Sequence, residues 1–212
     1  MALSAFAHCY NGPVNYDPDT IFEAYLDNIQ RLNIPNRRLY IAYSAVTGSG
    51  KTWLAKRIAT HFSGLYLSAD ELRTAAQELY PMISRSELDQ FVAQYAPSIQ
   101  NRLLEYPNHL HVVDTNIDKY AQQVFDKAAE IEFPLFIIRL DVDKSTLADR
   151  IATRQKNIFQ DEKMLLESLD QNIKYHDEFL KNFGNRISYT YSEEGGLEHL
   201  FASIEQVLNE QA

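Results

Sequence analysis

Cysteine is nearly absent: Cys9 is the only one in 212 residues, so no disulfide can form within the chain. That excludes the small secreted scaffolds whose folds depend on cross-links. Basic residues are in deficit, with 20 Lys and Arg against 29 Asp and Glu, a formal net charge of -9 and a pI near 5.1. A surface that coats nucleic acid or an anionic membrane carries the opposite sign, so either role would need a local basic patch. No apolar run approaches the roughly 18 to 20 residues of a membrane span. The first residues lack the basic start and apolar stretch of a signal peptide, so the expected setting is soluble and cytoplasmic. Glycine is also scarce. Only seven occur, and two of them, Gly48 and Gly50, lie within three residues of each other. What is present is ordinary globular material, 45% hydrophobic and 23% charged, enough for a sizeable core.

The pattern divides the chain into an N-terminal arm, residues 1–37, and one α/β domain, residues 38–212. In the arm, Asp17 precedes Pro18, the order of an N-cap and a first helical position. Ile21, Phe22, Tyr25, Leu26, Ile29 and Leu32 follow at helical spacing, which predicts an amphipathic helix over 18–33. From residue 38 short apolar strands alternate with helices. Strands are expected at 39–43, 65–67, 109–113, 133–140 and 187–191. Helices are expected at 50–62, 70–80, 84–105, 118–131, from about 144, 162–182 and 197–209. Such alternation implies crossover units, hence a five-stranded, mostly parallel sheet with helices on both faces, a three-layer fold.

Between the first strand and its helix lies Ala45-Val46-Thr47-Gly48-Ser49-Gly50-Lys51-Thr52, a phosphate-loop (Walker A) pattern with alanine at the first glycine. Gly48 and Gly50 allow the backbone to curl with its N–H groups inward, and the helix that starts there adds its positive dipole end. Lys51 would reach the β- and γ-phosphates, and the Thr52 hydroxyl would ligate Mg²⁺. The nucleotide contacts expected are Thr47, Gly48, Ser49, Gly50, Lys51, Thr52 and Trp53, with Arg150. A glycine-rich turn that merely caps a helix is the competing reading, and the strand–loop–helix context weighs against it.

Residues at the carboxyl ends of parallel strands line the ligand crevice. The second strand is followed by Asp70 and, one helical turn on, Arg73. Asp70 suits a base that takes the proton of an attacking hydroxyl, and Arg73 suits a contact to an anionic acceptor. The third strand runs into Asp114, placed to hold Mg²⁺ or to orient Arg73. Arg150 and Arg154 share a helix face after the fourth strand, where guanidinium groups can steady charge on a transferring phosphoryl group. The stretch 155–162 would be a lid. Taken singly, each has a plain alternative: a helix cap for Asp70 or Asp114, a surface or dipole cation for the arginines. His109 and His111 have metal-compatible spacing without a third ligand nearby, so packing is expected of them.

Together, the phosphate loop, Ser68-Ala69-Asp70-Glu71-Leu72-Arg73, Val112-Val113-Asp114-Thr115-Asn116 and Leu147-Ala148-Asp149-Arg150-Ile151-Ala152-Thr153-Arg154 resemble the P-loop kinases of the polynucleotide 5′-kinase and zeta-toxin-like group. The resemblance covers about residues 38–182 and leaves the arm unmatched. It implies that Asp70 is the general base, Arg73 an acceptor-phosphate contact, Arg154 the transition-state arginine, and Arg150 a group close to the nucleotide. The expected activity is ATP- and Mg²⁺-dependent transfer to a hydroxyl. A small-molecule acceptor (metabolite, nucleotide or nucleotide sugar) stands ahead of a polynucleotide 5′-end because of the acidic balance. A nucleotide switch or a non-catalytic ATP-binding module, with the arm docking a protein partner, stands as the reading of another class.

Overall fold

The computed structural model describes residues 17–28, 38–104, 110–130, 132–153, 162–192 and 196–210. The expected segments 1–16 and 29–37, His109, Arg154 and the lid stretch 155–161 lie outside them. Five strands, β1 (Leu39–Ser44), β2 (Leu65–Leu67), β3 (Leu110–Asn116), β4 (Leu135–Leu140) and β5 (Tyr189–Tyr191), form one sheet in the order β2-β3-β1-β4-β5. Every pairing is parallel. β1 lies in the middle, between β3 and β4, and all six of its residues are buried. Its unbroken apolar reading, Leu39 to Tyr43, is what a strand covered on both faces requires.

Eight α-helices accompany the strands among the described residues: α1 (Pro18–Asn28), α2 (Lys51–Phe62), α3 (Ala69–Leu79), α4 (Arg85–Leu104), α5 (Ala121–Glu130), α6 (Lys144–Thr153), α7 (Glu162–Phe183) and α8 (Gly196–Asn209). One face of the sheet packs against α2 and α8, through Leu54, Ile58, Leu200 and Ile204. The other face is covered by α1, α3, α4, α5 and α7, through Ile21, Leu72, Phe91, Phe125 and Phe179. A smaller cluster of Val46, Leu147, Ile151 and Leu169 joins the phosphate loop to α6 and α7. The three-layer α/β fold is therefore the one expected. Several boundaries differ, among them the start of β4, at Leu135 and not 133. β3 runs on to Asn116, so Asp114 lies inside the strand; α5 starts only at Ala121; β5 is shorter than expected. Pairing with β1 extends β3, since Tyr43 aligns with Asn116.

α1 has its apolar stripe in the same core as the domain. Ile21, Phe22 and Tyr25 are buried with residues of α3 and α4. Its N-terminus is capped by Asp17, which accepts from the Asp19 N–H at 3.1 Å. Arg102 of α4 donates to Asp19 at 2.7 Å and lays its guanidinium 3.7 Å over the Phe22 ring.

Gly64 joins α2 to β2 where backbone and side chain of β3 come close. A Cβ there would stand 2.6 Å from Leu110 Cδ2 and 2.8 Å from the Leu110 carbonyl oxygen. Leu110 is buried in the middle of the sheet and cannot step aside. Gly64→Ala should cost about 1–3 kcal/mol through this overlap, read as a lower denaturation midpoint in urea. An unchanged midpoint would show that the β2–β3 contact is looser than described.

Candidate active site

The phosphate loop follows β1 at the point where its neighbours on either side, β3 and β4, diverge in chain order, the usual place for a ligand crevice in such sheets. Gly48 and Gly50 have φ of +90° and +91°, a region that side chains rarely adopt. α6 presses on the loop from outside: a Cβ on Gly48 would meet the Leu147 carbonyl at 3.1 Å and Ile151 Cγ1 at 3.2 Å. Ala45 stands at the first glycine position with its methyl group buried in the α2-side core, so it occupies core space. Asn116 fixes the start of the loop, its Oδ1 accepting from Ala45 N–H at 3.5 Å and Asp118 N–H at 3.0 Å.

A cleft of about 570 Å³ opens over this loop. It is lined by Val46, Thr47, Gly48, Ser49, Gly50, Lys51, Thr52, Trp53, Lys56, Ser68, Ala69, Asp70, Asp114 and Arg150. Ten of the expected site residues therefore share one cavity: Thr47 to Trp53, Asp70, Asp114 and Arg150. Arg150 donates from Nη1 to the Ser49 carbonyl at 3.5 Å, which places its guanidinium at the loop. Arg73 touches the cleft indirectly. Its Nη1 donates to Asp70 Oδ1 at 3.0 Å and its Nε to Asp89 Oδ1 at 3.2 Å. Arg154 lies outside the described residues. His111 is buried and meets the Phe133 ring edge-on at 5.1 Å, a packing position.

Lys51 pairs with Asp114, whose side chain is almost fully buried. The second carboxylate oxygen accepts from the Tyr66 hydroxyl at 2.6 Å. Burial, helped by the negative charge of Asp114, pushes the Tyr66 phenol well above its ordinary range. It therefore remains a donor to Asp114 at any physiological pH. Tyr66 was not expected at the site. The signal was present, because period-two alternation puts Tyr66, Tyr43 and Asp114 on the same face of three strands. Lys56 lines the cleft although a solvated helix position was expected of it. It sits one turn beyond Trp53 on α2, pairs with Glu71 of α3 at 2.8 Å and lies 5.4 Å over the Tyr66 ring. Trp53 is half exposed, with the Arg57 guanidinium 5.3 Å from its ring.

Behind the loop, His176 of α7 sets its Nδ1 between Ser44 Oγ, at 3.2 Å, and Asp118 Oδ2, at 3.0 Å. A carboxylate only accepts, so Nδ1 carries the proton and shares it between the two. This buried link joins α7 to the end of β1 just before the phosphate loop.

Chemically, the cleft offers inward backbone N–H groups and a lysine for phosphate oxygens, and a hydroxyl with a carboxylate suited to a hard divalent cation. Asp70 faces them from the start of α3. The sequence of the family described as AAA domain matches residues 46–179, more than half of the chain. No curated protein matches. Among solved structures, a gluconokinase from Sinorhizobium meliloti 1021 is similar, with 17% identity and a TM-score of 0.52 over 82% of this chain and 96% of that one. That likeness is one of fold. A deoxyadenosine kinase from M.mycoides with bound dATP aligns at 16% identity and a TM-score of 0.43, over 81% of this chain and 98% of that one.

Tyr66→Phe removes the phenolic donor and leaves the buried Asp114 carboxylate one partner short. The expected loss is about 1.5–3 kcal/mol of stability, the worth of a hydrogen bond to a charged group, measured by urea unfolding at neutral pH. Equal midpoints for the two proteins would show that the phenol does not hold Asp114.

Proposed function

This chain belongs to the AAA domain family, a P-loop kinase family, and on that premise we propose that it transfers the γ-phosphate of ATP to a hydroxyl of a small molecule. The observation that carries the reading is the position of Asp70, which lines the same cleft as the phosphate loop. A base there meets an acceptor hydroxyl as it approaches the γ-phosphorus.

In this reading the loop N–H groups and Lys51 hold the phosphates, and Lys51 must leave or share Asp114 to do so. Thr52 and Asp114 would hold Mg²⁺, which when bound neutralises charge on the β- and γ-phosphates. Asp70 takes the hydroxyl proton while the acceptor oxygen bonds to the γ-phosphorus. The bond to the bridging oxygen breaks, and ADP departs with that electron pair. Arg73 fixes the orientation of Asp70 through its 3.0 Å contact. Arg150 stands beside the loop to steady the developing charge. Arg154, by resemblance, would join it.

Charge on the acceptor side favours a small, uncharged acceptor. Arg73 is held between two carboxylates, Asp70 and Asp89, and Lys56 is paired with Glu71. Each cation there has an acidic partner, so this wall presents no net positive field to a phosphate backbone. The net charge of -9 points the same way. Arg73 thus serves better as a support for Asp70 than as a contact to an anionic acceptor.

The test is transfer of labelled γ-phosphate from ATP and Mg²⁺ to two acceptor sets: neutral hydroxylated metabolites, and 5′-hydroxyl DNA and RNA oligonucleotides. Label is expected on a neutral metabolite, reduced at least about 100-fold by Lys51→Ala and by Asp70→Asn. Label on oligonucleotide ends instead would make the enzyme a polynucleotide 5′-kinase. Release of free phosphate alone would indicate a nucleotide switch.

A further inference from the structure

Ser68 is the single-residue joint between β2, which ends at Leu67, and α3, which begins at Ala69. Its backbone is extended, with φ -142° and ψ 135°. Its Oγ accepts from the Asp70 N–H at 3.2 Å and its carbonyl from the Leu72 N–H at 3.2 Å. The Ser68 N–H itself has left the sheet and precedes the helix, so a partner must come from elsewhere. That partner is Tyr25 of α1, whose hydroxyl oxygen accepts it at 3.1 Å.

Tyr25 is only 2% exposed and sits in the core among residues of α1, α3 and α4. A phenylalanine would fill nearly the same space, so the hydroxyl is there for the joint. Burial drives the Tyr25 phenol well above its ordinary range, which keeps it neutral. α1 is in turn anchored by Asp17 at its start and by Arg102 of α4, which holds Asp19 and Phe22. A continuous physical path thus runs from α4 through α1 and Tyr25 to the turn that carries Asp70.

We propose that Tyr25 is a positioning residue for the acceptor side of the cleft: by holding the Ser68 amide it sets where the first turn of α3 presents Asp70. The N-terminal helix is then a working part of the site. The proposal rests on the reading of Asp70 as the base.

The test compares Tyr25→Phe in the wild-type and Asp70→Asn backgrounds, with Ile21→Val as a control that loosens α1 packing without touching the bond. Three quantities are measured: amide hydrogen exchange over residues 66–74, affinity for ATP with Mg²⁺, and γ-phosphate release with water as the acceptor, which needs no identified substrate. Tyr25→Phe should speed exchange at Ser68 to Asp70 by about fivefold or more, as expected for loss of one hydrogen bond. ATP affinity should stay within about twofold, while phosphate release falls by about threefold or more, as it does when a catalytic group is misplaced. In the Asp70→Asn background Tyr25→Phe should cause no further loss, and Ile21→Val should change neither exchange nor release. Unchanged exchange in Tyr25→Phe would overturn the proposal. So would an equal loss of release in both backgrounds, which would mark a general structural effect and leave Asp70 as the base. Asp70→Asn releasing phosphate as fast as wild type would remove the base itself, and this proposal with it.

Discussion

The Lys51–Asp114 ion pair ties the phosphate loop to the interior of the sheet, and much of the cleft is arranged around it. Asp114 belongs to β3, the neighbour of β1, so the pair joins the first residue of α2 to the carboxyl-end half of β3. Its carboxylate is nearly buried and would be costly without partners; Lys51 supplies one and Tyr66 the other. The same balance extends outward. Arg73 bridges Asp70 and Asp89, and Lys56 joins Glu71, so each of these cations already has an anion beside it. A phosphate that took up Lys51 would compete with Asp114 for it, which favours ligands that offer several anionic oxygens at one point.

The fold was legible because its signals are local. β1 reads as continuous apolar residues, the loop after it has two glycines where φ must be positive, and helical periodicity marks each crossover. Asp70 and Asp114 could be selected because strand ends of parallel sheets share one edge of the molecule. Boundaries were less legible. Whether β3 stops at Val113 or continues to Asn116 depends on its alignment with β1, a long-range fact. The pairing of Arg73 was hidden for a similar reason: its second carboxylate, Asp89, lies on another helix, and nothing in the spacing of either residue announces the contact.

The N-terminal helix illustrates the same limit. Its amphipathic stripe showed that it must pack on something, but not on what. Docked against α3 and α4, it completes the core on one face of the sheet, and a single hydroxyl among its apolar contacts reaches the strand–helix joint. His176 makes a comparable link on the other side of the loop, from α7 to the end of β1. The phosphate loop and the turn that carries Asp70 are thus each supported by a helix that does not itself line the cleft.

Trp53 is the only tryptophan in the chain. It stands half exposed on the wall of the cleft, next to the residue that ends the phosphate-loop pattern, with a guanidinium close to its ring. Indole emission excited at the red edge of the ultraviolet band therefore arises from this one position. The protein carries its own optical probe of the cleft, with no label to attach and no second fluorophore of that kind to subtract.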